Sequence, residues 1–484
     1  PFYISAFNLL PHLPTEDSLD VLVEAVMANP ASRPIDQHLP QLMEAVLEND
    51  LALLLVDDMD QLLSKDIQNV CQFLGKVFED YPTARAVVTA SNQYFDGILN
   101  LDLVPLSVTG WGREERATFA QTWGELWGRY ANPHNDDQSP EERERSSLSP
   151  LLLNGWLFNE QGAPSPLEFT LKIWSVYAGD VLGSTGVDAL EAHVHRMTTE
   201  IRRNPFPALI NLAWQAIKNR EITFTERDAK SWMKMDEFVP EDESGGISRP
   251  SGALLSTLLE NGFMVKSSDD RLRFNHVSFA GYLAAQATDM TPEEDIQEIF
   301  DQPDWAFKQQ TLYYLASECN MEPWVKKFTP QRDFLARDLL LAGTWLSTLP
   351  PKAKERQTIL KALAQALNDA SNTMETKTRL ASLLATSGDP QAVTIFQYLF
   401  KSPQTSSKQV AALGVGFLRD SRGTRPLKNL LGVSSLVNQA VCLALVNIGT
   451  NASLDVVAEA LLTGSEELRR AAAEALANHP REGH

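Results

Sequence analysis

Short apolar runs alternate with amphipathic stretches over the first 110 residues of the chain. These runs cover residues 2–7, 51–56, 84–89 and 104–108, of which only 51–56 is apolar throughout, and the amphipathic stretches lie near 17–28, 38–49 and 60–80. A run of strand length that is apolar throughout is typical of a strand buried on both faces of a parallel sheet. Because strands that alternate with helices indicate parallel βα units, residues 1–110 are expected to form an α/β domain.

The pattern becomes helical from Trp111 onward, and two further segments can be separated. Residues 111–204 carry a tryptophan-rich helical stretch and a second one around 164–180, which predicts a helical domain. Residues 205–289 contain helical stretches followed by two β-prone pieces that flank a polar turn. Helices followed by such a hairpin predict a winged helix.

Four alanine-rich segments recur at a regular interval in the last third of the chain. They begin at Arg379, Gln409, Gln439 and Arg470, and the last three are 30 and 31 residues apart. Each segment belongs to a pair of apolar helical stretches that cannot bury its apolar faces alone, so neighbouring pairs must stack. This interval predicts a C-terminal α-solenoid of HEAT-like repeats. The less regular helical stretches before Arg379 extend the same stack, so that the repeats cover 290–484.

Composition narrows the class of protein. The 484 residues carry a net charge of −21, which argues against broad binding to nucleic acid. Three widely separated cysteines form no metal-binding motif, and no apolar stretch is long enough to span a bilayer. We therefore expect a cytoplasmic protein with no membrane segment. The chain begins at Pro1 inside an apolar run, and we expect that the natural protein continues before it.

Three carboxylates, Asp57, Asp58 and Asp60, follow the apolar run at 51–56. Ligands of parallel sheets bind beyond the carboxyl ends of the strands, where carboxylates can hold Mg²⁺ or polarise a water molecule. Asp57 is the candidate for the metal, which it would contact through water ligands, and either Asp58 or Asp60 is the candidate for orienting an attacking water. The alternative is a buried strand followed by a helix cap, because aspartate is also a favoured N-cap residue.

The order of these segments resembles the NACHT class of STAND (signal-transducing) ATPases, and local motifs add to the resemblance. Leu53–Asp60 resembles the Mg²⁺-binding strand of that family, and Arg85–Ser91 resembles its sensor strand. Phe274–Ala285 reads F-N-H-V-S-F-A-G-Y-L-A-A and resembles the family pattern F-x-H-x-S-F-x-E-Y-x-A-A, with Gly281 in place of the glutamate. The resemblance covers residues 1–287 and implies part of a P-loop NTPase sheet, a helical domain and a winged helix, in a multidomain α/β plus α protein.

The resemblance also implies roles for individual residues. His276 would contact the β-phosphate of bound ADP and hold a closed state. An imidazole suits that role because it can donate to a phosphate oxygen and gain charge beside an anion. Ser91 or Asn92 occupies the position of the family's sensor arginine, and Pro166, or alternatively Pro164, would begin a helix that packs against the adenine. The implied cofactors are ATP or ADP with Mg²⁺.

The phosphate loop of this family is missing from the sequence. No Gly-x-x-x-x-Gly-Lys-Ser/Thr motif occurs, and the one Gly-Lys pair, Gly75-Lys76, is followed by Val77 inside an amphipathic stretch. Such a loop supplies the backbone N–H groups and the lysine that neutralise the β- and γ-phosphates. We expect the loop to precede Pro1 in the natural protein, and we expect the chain without it to be inactive as an ATPase.

Together these inferences predict a nucleotide-dependent switch and sensor for signalling, with a role in defence implied by the resemblance. Exchange of ADP for ATP would permit self-association through the nucleotide domain, and the repeats would bind a protein or ligand. One alternative is a non-catalytic helical-repeat scaffold with a degenerate nucleotide fold. Another is a winged-helix ATPase that acts on DNA, against which the acidic charge counts.

A His-x-His pair, His193 and His195, lies in a helical stretch of the predicted helical domain. Two histidines at this spacing could in principle ligate a metal ion. Positions i and i+2 of a helix do not share a face, however, so the two rings would point apart. We therefore expect both side chains to be solvated on the surface.

Overall fold

The computed structural model describes residues 1–13, 17–29, 37–90, 97–104, 106, 111, 113–131, 165–180, 186–198, 205–233, 251–267, 270–287, 293–303, 305–326, 336–350 and 352–477. The chain divides into two compact units, of which the first contains residues 1–109 and 181–315, and the second contains 110–180 and 316–484. Because each unit joins segments that are distant in sequence, the division into four domains stays a prediction.

Three parallel strands form the sheet of the first unit, in the order β1 (Phe2–Ser5), β2 (Leu53–Asp57) and β3 (Arg85–Val88). This confirms the parallel sheet expected from the alternating pattern. Ser5 lies opposite Asp57 in the pairing of β1 with β2, and the Thr89 N–H donates to the Val56 carbonyl at 2.9 Å just beyond β3. Since parallel strands all end at the same edge, Ser5, Asp57 and Thr89 are brought together there.

Four helices contribute to the core around this sheet: α1 (Ala6–Leu9), α2 (Ser18–Met27), α3 (Leu39–Glu48) and α4 (Ser64–Asp80). The Asp17 carboxylate caps α2 by accepting from the backbone N–H groups of Leu19 and Asp20, at 3.0 and 3.2 Å. The run at 104–108, predicted to be a strand, does not form one in its described residues. Val104 and Leu106 are exposed and lie in no strand, and residues 105, 107 and 108 are outside the described residues.

The remainder of the first unit contains helices and one antiparallel hairpin. The elements are α7 (Gly186–Thr198), α8 (Phe206–Lys218), α9 (Glu226–Met233), α10 (Ser251–Glu260), β4 (Met264–Lys266), β5 (Leu272–Phe274), α11 (Val277–Ala285), α12 (Glu293–Asp301) and α13 (Ala306–Glu318, whose last residues belong to the second unit). Phe224 forms a β-bridge to Leu272 at the hairpin, and both side chains are buried.

Helices α11 and α13 approach each other closely at Gly281. A Cβ atom placed on Gly281 would lie 2.6 Å from the Gln310 Cβ and 2.8 Å from the Gln310 carbonyl carbon. No side chain fits between backbones at that separation, because overpacking forces neighbouring atoms to shift. This close approach gives a physical reason for glycine at a position where the resembling family pattern has glutamate.

The described residues at the start of the second unit form α5 (Arg113–Leu126), which continues into a π-helical turn at Trp127–Ala131, and α6 (Pro166–Ala178). The Ser165 hydroxyl accepts from the Glu168 N–H at 3.2 Å, and the Glu168 carboxylate accepts from the Ser165 N–H at 2.8 Å. This reciprocal capping box, with Pro166 in the first turn, determines where α6 begins.

In the described residues beyond α13, the second unit contains ten further helices. They are α14 (Glu322–Val325), α15 (Arg337–Thr344), α16 (Lys354–Asn368), α17 (Met374–Thr386), α18 (Ala392–Leu399), α19 (Thr405–Leu418), α20 (Thr424–Lys428), α21 (Ser435–Ile448), α22 (Asn451–Thr463) and α23 (Glu466–Ala477). The four alanine-rich segments fall in α17, α19, α21 and α23, and each of these helices packs against the next. The predicted C-terminal helical repeat is therefore confirmed.

A buried ion pair connects α16 to the loop between α17 and α18. The Arg356 guanidinium donates to the Asp389 carboxylate from Nε at 3.2 Å and from Nη2 at 2.5 Å. Its Nη1 donates to the carbonyl groups of Leu346 and Leu349 at 2.6 and 2.8 Å. Because one side chain binds three separate segments, Arg356 ties the less regular helices before Arg379 to the repeats that follow.

Candidate functional site

Asp57 ends the central strand β2 and is surrounded by hydrogen-bond donors. Its carboxylate accepts from the Thr89 hydroxyl at 2.7 Å, from the Asp58 N–H at 2.9 Å and from the Tyr3 hydroxyl at 3.1 Å. Burial alone would raise the pKa of Asp57, but these donors and the Arg273 charge outweigh it and hold the pKa below its usual value. Asp57 is therefore ionised at neutral pH, which is the form that binds a cation.

Asp58 turns the chain sharply away from β2. Its backbone is left-handed, with φ of 67°, a conformation that aspartate tolerates better than most residues. The carboxylate accepts from the Ser5 hydroxyl at 2.6 Å and from the Gln61 amide at 2.8 Å. The turn thus directs the Asp58 side chain back to the end of β1 at the same edge of the sheet.

Asp60 differs from Asp57 in the direction in which its pKa is shifted. Burial raises the pKa of Asp60, and the negative charges of Asp58 and Asp57 raise it further, against a smaller lowering by its own backbone N–H. A carboxylate with a raised pKa accepts a proton more readily at neutral pH, which suits a group that orients and deprotonates water. The geometry leaves both Asp58 and Asp60 as candidates for that role.

Arg273 brings the hairpin to the carboxyl edge of the sheet. Its Nη2 lies 3.3 Å from the Asp58 carboxylate, a residue 215 positions earlier in the chain, and its guanidinium lies over the Phe7 ring at 4.8 Å. Sequence reasoning missed this residue. The available signal was the alternation in β5, where Leu272 and Phe274 are buried and Arg273 between them must point to the other face.

His276 caps helix α11, three residues beyond Arg273. Its Nδ1 accepts from the Ser278 N–H at 3.1 Å, so the neutral ring carries its proton on Nε2 and can donate there. Burial lowers the pKa of His276, the Asp58 charge opposes that lowering, and the Arg273 charge reinforces it. His276 is therefore a neutral hydrogen-bond donor at pH 7, and both charges of the Arg273–Asp58 pair affect its pKa.

Four of the predicted site residues, Asp57, Asp58, Asp60 and His276, lie in the first unit, where the charges of Asp57 and Asp58 act on Asp60 and the charge of Asp58 acts on His276. Pro166 begins a helix as expected, but that helix belongs to the second unit, whereas Pro164, Ser91 and Asn92 lie outside the described residues.

A metal ion at this edge of the sheet would need ligands other than the protein side chains. Among the residues that the structure describes, no group of three or more His, Cys, Asp or Glu side chains is arranged to hold a metal ion. Mg²⁺ commonly binds through one or two carboxylates, with water and substrate phosphates completing its octahedron. Asp57, ionised and next to the Thr89 hydroxyl, fits such a partial ligand set.

The expectation that His193 is solvated is wrong. Its side chain is buried, with 6% exposure, and its ring stacks on Phe279 at a centroid distance of 5.0 Å. His195 lies on another face of α7 with 60% of its side chain exposed, as expected. Helix α7 packs on α11, and this contact accounts for the burial of His193.

Burial of His193 is expected to make the first unit less stable in acid. It lowers the pKa of His193 from 6.5 to about 4, so the unfolded chain binds the proton more tightly than the folded one. The contribution to stability is complete above pH 6.5 and decreases as the pH falls toward about 4, by roughly 3 kcal/mol at about 1.4 kcal/mol per pKa unit. Denaturant unfolding at pH 7 and pH 4 should therefore show a smaller loss for His193→Gln than for wild type. Equal losses would contradict this assignment.

Comparison with known proteins identifies one part of the chain. Residues 394–477 match the family model of HEAT repeats. No curated protein matches the chain. Within the described ranges, no helix has the length and apolar character needed to cross a membrane. The C-terminal part of the chain thus carries HEAT-like repeats, the class of helical repeat that the regular interval of alanine-rich segments predicts.

Proposed function

We propose that this chain is the switch and sensor part of a NACHT-like signalling ATPase. The carboxyl edge of the sheet, together with Arg273 and His276 of a winged helix, would bind the phosphates of ADP or ATP with Mg²⁺. The HEAT-like repeats would bind the protein or ligand that controls the switch. The observation that supports this proposal most directly is the contact of Arg273 with Asp58, because it joins the hairpin to the end of β2 next to His276.

The charges at this edge are compatible with a bound polyphosphate only if cations take part. Asp57 and Asp58 alone would repel phosphate oxygens. Arg273 supplies a permanent positive charge with planar N–H donors, and His276 supplies an Nε2–H donor. A Mg²⁺ ion held through Asp57 would neutralise further charge and polarise the phosphate.

A switch requires that nucleotide and protein conformation depend on each other. The two groups proposed to contact phosphate come from a segment that lies at least 215 residues after Asp58 in the chain. A ligand that binds the sheet edge and this segment together favours the state in which they touch, by as much as its affinity for the two states differs. ADP would hold the closed state in this way, and exchange for ATP would release the segment and permit self-association.

The test is retention of ADP by the natural full-length protein carrying His276→Asn. Asparagine preserves the N-cap of α11 but removes the ring Nε2–H, so a loss of folding does not confuse the result. Loss of a hydrogen bond to a charged phosphate corresponds to about a tenfold weaker affinity. His195→Asn, on the exposed face of α7, is the matched control and should leave ADP affinity unchanged. Unchanged ADP affinity in His276→Asn, measured by equilibrium dialysis, would count against the proposal.

The second candidate is a non-catalytic helical-repeat scaffold, which the match of residues 394–477 to HEAT repeats favours by itself. Stacked repeats present extended surfaces suited to protein binding. In that case the acidic edge of the sheet would be structural. Failure of the natural full-length protein to bind ADP or ATP in the presence of Mg²⁺ would select the scaffold.

A further inference from the structure

The partners of Arg273 leave part of its hydrogen-bonding capacity unused. Its side chain is 14% exposed, and within the part of the chain that the structure describes its one ion pair is the 3.3 Å approach of Nη2 to one oxygen of Asp58, itself 13% exposed. Among the described residues, Nη1 is buried and has no hydrogen-bond partner. A guanidinium presents five donors in a fork that matches carboxylate and phosphate oxygens in pairs. A single long contact therefore satisfies little of the hydrogen-bonding capacity of the guanidinium.

Asp58 depends on the ion pair much less than Arg273 does. The oxygen that contacts Arg273 also accepts from the Ser5 hydroxyl at 2.6 Å, and the other oxygen accepts from the Gln61 amide at 2.8 Å. If Arg273 moved away, the Asp58 carboxylate would keep both hydrogen bonds. Arg273 would keep its contact with the Phe7 ring but would lose its hydrogen-bonded anion and would need another. Loss of the ion pair would therefore cost Asp58 little, whereas Arg273 would need another anion in its place.

We infer that Arg273 is an exchangeable anion ligand that latches the β4–β5 hairpin to Asp58 and transfers to a phosphate group when one enters the site. The inference rests on the proposed function, since it takes the anion to be a phosphate of the bound nucleotide. It adds an order of events. Arg273 stays on the Asp58 carboxylate until the phosphate takes the guanidinium, and only then can the Asp58 oxygen that Arg273 contacted accept from bound water while it keeps its bond to Ser5.

The effect of each variant on the affinity for phosphate anions shows whether Arg273 exchanges partners or forms a purely structural ion pair. Binding of ADP and of inorganic phosphate is measured by calorimetry with EDTA present, so that a metal role of the carboxylates cannot contribute. Asp58→Asn weakens the competitor for Arg273 and should tighten ADP binding about tenfold, whereas Arg273→Met should weaken it about tenfold. Both variants should shift the affinity for inorganic phosphate in the same directions, because the exchange needs only the anion.

The matched control is Arg271→Met. Arg271 directly precedes β5 and donates to Glu221 at 3.3 Å and to the Thr223 hydroxyl at 3.0 Å, contacts that do not involve the sheet edge. Its replacement should change ADP affinity less than twofold. An Asp58→Asn protein that binds ADP no better than wild type, or worse, would overturn the exchange.

The latch itself is tested without any nucleotide. Hydrogen exchange of the hairpin amides at 264–267 and 270–274 should become about tenfold faster in Arg273→Met and in Asp58→Asn, and no faster in the double variant than in the single variants. If the effects of the two single variants on hydrogen exchange added in the double variant, this double-mutant cycle would overturn the latch. If the natural full-length protein binds neither ADP nor ATP even with Mg²⁺ present, the proposed function fails, while the double-mutant cycle still decides whether Arg273 and Asp58 are coupled.

Discussion

Arg356→Met is expected to lower the free energy of unfolding of the second unit by about 3–5 kcal/mol, the cost of leaving a buried charge without its partner. Asp389 is 3% exposed, and Arg356 is its cationic partner across α16 and the loop after α17. The variant also removes the donor to the Leu346 and Leu349 carbonyls. The measurement is denaturant unfolding followed by circular dichroism, with the midpoint and slope both reported.

Two further variants show whether the buried charge of Asp389 causes the loss of stability in Arg356→Met. Arg422→Met removes an ion pair with Asp420 in which the arginine side chain is 71% exposed, and it should leave the unfolding midpoint unchanged. Adding Asp389→Asn to Arg356→Met removes the stranded charge and should recover part of the lost stability. If Arg356→Met unfolds at the same denaturant concentration as wild type, the ion pair does not tie these helices together.

Gly281→Ala is expected to destabilise the first unit by about 1–3 kcal/mol, although alanine is the better helix former. The new methyl group would lie 2.6 and 2.8 Å from the Gln310 Cβ and carbonyl carbon, so α11 and α13 would have to separate. Gly281→Glu, which restores the residue of the resembling family pattern, should destabilise still more. Thermal unfolding of purified protein measures both effects.

The control for Gly281 is a helical glycine of the same unit with room around it. A Cβ on Gly75, within α4, would meet the Leu101 side chain at an ordinary 3.8 Å. Gly75→Ala should therefore raise stability by about 0.5–1 kcal/mol through helix propensity alone. If Gly281→Ala behaves like Gly75→Ala, the two helices are not in backbone contact at Gly281.

The features that could be predicted from the sequence are those set by local pattern. The apolar run before Asp57 predicts a buried strand because burial on both faces excludes polar residues, and the interval between alanine-rich segments predicts stacked helices. Strand β1 ends earlier than the run at 2–7 because Ala6 and Phe7, although apolar, belong to helix α1, and a short apolar run does not distinguish a strand from a helix.

The features that could not be predicted depend on contacts between distant segments. Arg273 meets Asp58 across 215 residues, and nothing local to either residue identifies the other. His193 is buried because α7 packs on α11, which a helical pattern alone does not specify. Gly281 departs from a family pattern for a reason that becomes visible only when α13 is placed against α11.

The contact at Gly281 has a mechanical consequence. Helix α11 follows β5 after two residues, so the segment that carries Arg273 and His276 continues directly into the helix that meets α13 backbone to backbone. Without side chains between them to change rotamer and absorb a shift, the two helices are expected to translate as one stiff body. Helix α13 in turn leads the chain toward the HEAT-like repeats. A displacement of the hairpin by less than an ångström would then pass into α13 with little attenuation.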